Sequence, residues 1–125
     1  MLKTAEFVSP MHPDKLCDRI SDAIVDACLT EDTQSRCAIE VAGGHGQVYI
    51  TGELTTKAKP DYEAIVHRIV GNPLTVTTNI VTQSSEIAQG VDIGGAGDQG
   101  IMVGYACHEN PAQIPQEYYL ARELC

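Results

Sequence analysis

Four consecutive residues, His12-Pro13-Asp14-Lys15, bring together more reactive chemistry than their neighbours on either side. Proline suits the first turn of a helix, where its missing N–H costs nothing, so Pro13 predicts a helix start. A helix start offers unpaired N–H groups and a partial positive charge, which suit an anion such as phosphate. Lys15 adds a full charge, His12 a hydrogen bond or a proton, and Asp14 a carboxylate for a magnesium ion. Magnesium is commonly held by one or two carboxylates together with substrate phosphates. The same residues also fit a plain helix start with ordinary flanking charges, and their chemistry alone leaves both readings open.

A second candidate is Gly95-Ala96-Gly97-Asp98-Gln99-Gly100, which has the letters of G-x-G-x-x-G. The dinucleotide fingerprint needs a strand before it and a helix after it. Here Ile101 to Ala106 follows, and its composition predicts a strand, so the Rossmann reading is rejected. What remains is either a structural turn or a loop of bare backbone able to approach a ligand closely, with one carboxylate at Asp98.

The elements that must position these residues are of mixed type. From Asp14 to Leu29, Leu16, Ile20, Ala23, Ile24, Ala27 and Cys28 recur at helical spacing. Asp18, Asp22 and Asp26 lie on the other side and read as a solvated face rather than a metal stripe. Arg36 to Ala42 and Gln47 to Leu54 alternate as strands joined by a turn at Gly43-Gly44-His45-Gly46. A register with Val41 opposite Val48 puts Ile39 opposite Ile50 and Arg36 opposite Glu53. The polar side then carries Arg36, Glu40, Tyr49 and Glu53. Two carboxylates share that face, and an Arg36–Glu53 ion pair is the plain alternative to a site. A second amphipathic helix runs from about Asp61 to Val70 and stops at Gly71-Asn72-Pro73. Leu74 to Val81 reads as a strand, Thr82 to Gln89 as a polar segment and Pro115 to Leu124 as a third helix. The expected class is α+β, with helices on one face of a mainly antiparallel sheet.

At 125 residues, one domain is the expectation, and one core can form. A formal net charge of -9 disfavours nucleic acid or an anionic membrane as the main partner, because both repel it. Apolar runs are far shorter than the ~20 residues of a bilayer span, and no secretory signal pattern opens the chain, so the expected location is cytoplasmic. Five scattered cysteines without a Cys-x-x-Cys pair point to reduced thiols rather than a disulfide framework or a zinc site.

Taken in order, several stretches resemble the S-adenosylmethionine synthetase (methionine adenosyltransferase) family. They are Val8 to Lys15, Asp18-Arg19-Ile20-Ser21-Asp22-Ala23, Gly52-Glu53-Leu54-Thr55-Thr56, Gln83 to Ile87 with Gln89 to Asp92, and Gly95 to Gly100. The Gly-Ala-Gly-Asp-Gln-Gly element is close to diagnostic. The likeness covers almost the whole chain but only the first third or so of a typical member, so residues 1–125 are expected to be a single domain or fragment matching that N-terminal third.

The resemblance implies a transferase of one-carbon metabolism that joins methionine sulfur to C5′ of ATP and releases and hydrolyses the triphosphate. It implies that His12 contacts the triphosphate near the breaking C5′–O bond, that Asp14 is a magnesium (Mg2+) ligand and that Lys15 neighbours the phosphates. Glu40 matches a carboxylate near a potassium (K+) site, and Glu53, Gln83 and Asp98 match positions lining the methionine pocket. It further implies a three-part pseudo-symmetric fold, active sites shared between subunits, and hence a homo-oligomer or a complementing C-terminal chain. A non-catalytic methionine- or ATP-binding module derived from the family is the alternative.

Three departures stand out. Pro10-Met11 replaces the family's usual Glu-Gly, the segment between Asp92 and Gly95 is short, and the later lysines, arginine and aspartates of the ATP and magnesium sites have no counterpart here.

Overall fold

Ile20, Ile24 and Cys28 recur at four-residue steps along the first helix, and all three are buried. They set the architecture of the larger of two compact units, Pro13–Gly97; the smaller one comprises Met1–His12 with Asp98–Cys125. The computed structural model describes the whole chain except Asn72, Pro73, Asp98 and Gln99 and the side chain of Ile87.

In the larger unit, α1 (Pro13–Glu31) is followed by β1 (Arg36–Gly44), β2 (Gln47–Thr55), α2 (Tyr62–Val70), β3 (Thr75–Val81) and α3 (Ser85–Asp92). The strands form one sheet in the order β1-β2-β3. β1 and β2 run antiparallel, whereas β2 and β3 run parallel, because α2 carries the chain back across the sheet. The class is α+β with a mixed sheet. Val48 and Ile50 of β2 point to the helix side and join Ile20, Ile24, Cys28, Ala58, Ile65 and Val66 in the core. The other side of the sheet is open, and Asp18, Asp22 and Asp26 are solvent-exposed.

The hairpin register differs from the expected one by two residues. Val41 pairs with Ile50, Ile39 with Gly52 and Arg36 with Thr55. The turn itself is the reason. His45 and Gly46 both have positive φ (50° and 81°), the geometry of a tight two-residue loop that favours glycine at its second position. The expected register would put Gly44-His45 there, with histidine in the glycine position. A two-residue shift leaves every side chain on its face, so the apolar and polar sets survive while the partners change. Arg36 loses Glu53 as its opposite number and instead makes an ion pair with Asp92 of α3.

The ends of α2 follow the expected chemistry. The Asp61 side chain accepts a hydrogen bond from Ala64 N, and Gly71 caps the helix at φ 78°. Asn72 and Pro73, the rest of that stop signal, lie outside the described residues. α3 begins inside the stretch read as a polar segment, Thr82 to Gln89, and continues to Asp92. Asp32 fastens the far end of α1 to the end of β2: its carboxylate accepts from Lys57 N at 2.9 Å and Gln34 N at 3.1 Å. The Lys57 and Gln34 amides hold its pKa below the ordinary carboxylate value.

The smaller unit contains α4 (Gln116–Leu124), close to the expected helix. Phe7 meets Tyr118 edge-on at 5.6 Å, Lys3 binds Glu117 at 3.3 Å, and the Cys125 thiol donates to Phe7 O at 3.1 Å. Ile101–Ala106, expected as a strand, has no regular secondary structure and pairs with no strand among the described residues. All five cysteines are free thiols. Burial pushes the Cys28 thiol up to about 11, with the Cys37 thiol adding to the shift.

Two measurements test this layout. Gly52 has φ 134°, and a Cβ there would lie 2.0 Å from Ala38 O. Gly52→Ala should therefore cost about 2 kcal/mol or more in urea unfolding, from strain combined with the clash. A carboxylate with a lowered native pKa stabilises above its unfolded value and loses that effect as pH falls through the native one. Wild-type stability should thus fall more steeply than that of Asp32→Ala on acidification from about pH 5 to pH 2.

Candidate active site

The open face of the sheet carries the carboxylates. Glu53 lies opposite Ala38 on one side and Val81 on the other, and Glu40 lies opposite Thr51. Glu40 and Glu53 are thus diagonal neighbours on one face, about 7–8 Å apart by ladder geometry. Glu40 is exposed and Glu53 half-buried. Tyr49, Thr51, Thr77 and Asn79 fill the same face, and Thr51 Oγ1 donates to Asn79 O at 3.1 Å.

Gln83 follows β3 by two residues, at the end of the sheet where Glu53 sits. Its Oε1 is buried and has no hydrogen-bond partner among the described residues. A buried acceptor left unpaired costs roughly 1–3 kcal/mol, so this atom is set up to receive a donor. The structure therefore brings Glu40, Glu53 and Gln83 to one region.

Asp14 and Lys15 belong elsewhere. Both lie in the first turn of α1, Asp14 exposed and Lys15 half-buried. Asp14 lines an open recess of about 310 Å³ with Cys17, Asp18, Val41, Ala42 and Gly43. Val41 is three residues along β1 from Ala38, the partner of Glu53, so the Asp14 recess and Glu53 are separated by about 10 Å or more along the strand, whereas Glu40 is next to Val41 in β1 with its side chain on the other face. His12 ends the first segment of the smaller unit, where its N–H donates to Ser9 O at 3.0 Å. Asp98 lies outside the described residues.

Among the described residues, no three His, Cys, Asp or Glu side chains converge on a metal position. A metal ion at Asp14 would therefore take this one carboxylate and need its remaining ligands from outside the cluster.

Sequence reasoning did not anticipate the Arg36–Asp92 pair or the burial of Gln83 Oε1. It also missed an apolar recess of about 160 Å³ under the start of α1, lined by Leu16, Cys17, Ile20, Val48, Val70 and Leu74 with the hairpin backbone. The helical spacing of Leu16 and Ile20 was the available signal for that recess. The other two depend on which segments meet.

Residues 1–89 match the S-adenosylmethionine synthetase N-terminal domain. The chain belongs to the S-adenosylmethionine synthetase family. Residues 93–125 match the central domain of the same family, so the two matches meet at the end of α3. An S-adenosylmethionine synthase from Prochlorococcus marinus (strain NATL1A) is 41% identical over 146 residues, covering 97% of this chain and 36% of that protein. One from Thermosynechococcus vestitus is 42% identical over 151 residues, covering 98% of this chain and 36% of that protein. The solved structure of an unusual S-adenosylmethionine synthetase from Campylobacter jejuni superimposes with a TM-score of 0.80 at 34% identity, covering 94% of this chain and 34% of that one. The chain therefore spans about a third of the length of these family members. An alignment of 146 positions that uses 97% of 125 residues also means that the relative carries positions with no counterpart here.

The unpaired acceptor gives a test. Gln83→Met keeps the side chain's length and removes that acceptor, and should raise the stability of the ligand-free chain by about 1 kcal/mol in thermal unfolding.

Proposed function

We propose that this chain forms the N-terminal third, residues 1–125, of a machine that makes S-adenosylmethionine from ATP and L-methionine, releasing and hydrolysing triphosphate. The match of residues 1–89 to the family's N-terminal domain is the observation that carries this reading. Methionine sulfur is already a soft nucleophile, so no serine or cysteine nucleophile is required. The work is to align sulfur with C5′ of ATP and to stabilise charge building on the departing triphosphate.

In this reading His12 is the catalytic contact to the triphosphate, and Lys15 with the α1 N–H groups holds the phosphates. Asp14 supplies one ligand to a magnesium ion, which neutralises phosphate charge when bound. Glu53, Gln83 and Asp98 line the methionine pocket, with the Glu53 carboxylate suited to the ammonium group and Gln83 Oε1 suited to a donor. Glu40, on the same face as Glu53, is the carboxylate beside a potassium ion. The separation of Asp14 from Glu53 and Gln83 supports sites completed by another subunit or by a complementing chain. The enzyme is expected in the cytoplasm; among the described residues, no helix is long and apolar enough to cross a membrane.

Calorimetric titration with magnesium-ATP and with methionine, beside an assay for S-adenosylmethionine, tests the proposal. Asp14→Ala should weaken magnesium-ATP binding ~10-fold or more and metal-free triphosphate much less, since only the former uses the carboxylate as a metal ligand. Equal losses would remove Asp14 from the metal. Losing one donor to a developing oxyanion costs on the order of 10²–10³ in rate, and several family groups have no counterpart in this chain. Purified alone, it should turn over at least that much more slowly than when mixed with a polypeptide carrying those groups. Ligand binding without turnover in that mixture would favour a non-catalytic module.

A further inference from the structure

Asp92 stands at the electrically unfavourable end of α3. Gly94 N donates to Val91 O at 3.0 Å and Gly95 N to Gly90 O at 2.9 Å, with Gly94 at φ 84°. The helix therefore finishes in a glycine cap that fixes Asp92 in its last turn. The carbonyl end of a helix carries partial negative charge, so a carboxylate there is repelled unless a cation meets it. That turn contains no basic residue. Arg36, at the start of β1, supplies the charge from outside the helix. As a fastening the pair is weak, because its two side chains are 30% and 57% exposed and water screens their attraction.

Its larger effect is on what Arg36 would otherwise reach. Cys37, Ile39 and Val41 of β1 pack against the core, so Arg36, Ala38 and Glu40 take the open face of the sheet. Arg36 lies opposite Thr55 and Ala38 opposite Glu53, which makes Arg36 and Glu53 diagonal neighbours on that face. Such neighbours stand about 7–8 Å apart, a gap that a long side chain spans. Glu40 is four residues along β1 from Arg36, about 13 Å, and is the poorer partner. One guanidinium thus has two carboxylates in range, and it is found with Asp92. The recess of about 390 Å³ around that pair is completed by Thr33, Gln34, Ser35 and Val91. Moved to Glu53, the same guanidinium would take up its oxygens in charge-assisted hydrogen bonds and repel an incoming ammonium group.

We propose that Asp92 is a positioning residue: by pairing with Arg36 it holds the guanidinium off Glu53 and leaves that carboxylate free for the ammonium group of the amino-acid substrate. This rests on the assignment of Glu53 to the methionine ammonium made above, and adds what keeps the carboxylate available.

The test compares two ligands by calorimetry: L-methionine, and γ-methylthiobutyrate, which keeps the thioether and carboxylate but lacks the ammonium group. Asp92→Asn should weaken L-methionine binding ~3-fold or more without weakening γ-methylthiobutyrate. Combining Asp92→Asn with Arg36→Gln should return L-methionine to within ~2-fold of wild type, because the released cation is gone. Asp92→Glu keeps the carboxylate and should behave as wild type. Asp22→Asn, the same loss of charge on the exposed side of α1, should leave both ligands unaffected. In parallel, a nuclear Overhauser contact between Arg36 Hδ and Glu53 Hγ should be absent from wild type and present in Asp92→Asn. No such contact in Asp92→Asn, or equal weakening of the two ligands, overturns the positioning role. If the contact appears but wild type binds neither ligand, the hold of Asp92 on Arg36 stands and the assignment of Glu53 to methionine falls instead.

Discussion

The larger unit depends on one contact: the stripe Ile20, Ile24 and Cys28 of α1 against Val48 and Ile50 on the inner face of β2, with Val66 of α2 closing over them. Each of these side chains removes apolar surface from water at both partners, on the order of 1.5–3 kcal/mol per fully buried group. With three strands and two helices packed on one side, no second apolar layer covers the other side among the described residues of this unit. The face left open is therefore the place where Glu40 and Glu53 are kept hydrated at little cost. Burial on one side and chemistry on the other are two results of the same pleat.

That one-sidedness also separates the chemical groups. The start of α1 lies against Val41–Gly43, where β1 ends, and the recess there receives Asp14. Glu53 and Gln83 gather at the end of the sheet where β2 and β3 finish. A parallel β2–β3 pair is what makes those two ends coincide, since α2 returns the chain to the starting edge before β3 runs alongside β2. An antiparallel pair would have sent the end of β3, and Gln83 with it, to the hairpin end.

The smaller unit shows the opposite balance. Its organisation rests on edge contacts: the Phe7–Tyr118 ring pair, the Lys3–Glu117 ion pair and the hydrogen bond from Cys125 to Phe7. Exposed ion pairs of this sort contribute about 0–1 kcal/mol each. None of them replaces an apolar core, and Ile101, Met102, Val103 and Tyr105 stand exposed.

What the sequence by itself determined is whatever depends on neighbours along the chain. The spacing of Leu16, Ile20, Ile24 and Cys28 defines α1, Asp61 and Gly71 bracket α2, and alternation sorts Cys37, Ile39, Val41, Val48, Ile50 and Leu54 from Glu40 and Glu53. The stretches from Val8 to Gly100 carry the family resemblance. Tertiary structure alone decided whatever depends on which segments meet. A two-residue slip preserves the face of every side chain, so alternation could not select the register; the positive φ of His45 and Gly46 did. Arg36 found Asp92 because α3 formed where Gly90 and the polar residues around it gave only a weak helical signal. Ile101–Ala106 has the composition of a strand, yet a strand exists only when a second one satisfies its backbone, and that is decided by the partner rather than by the six residues themselves.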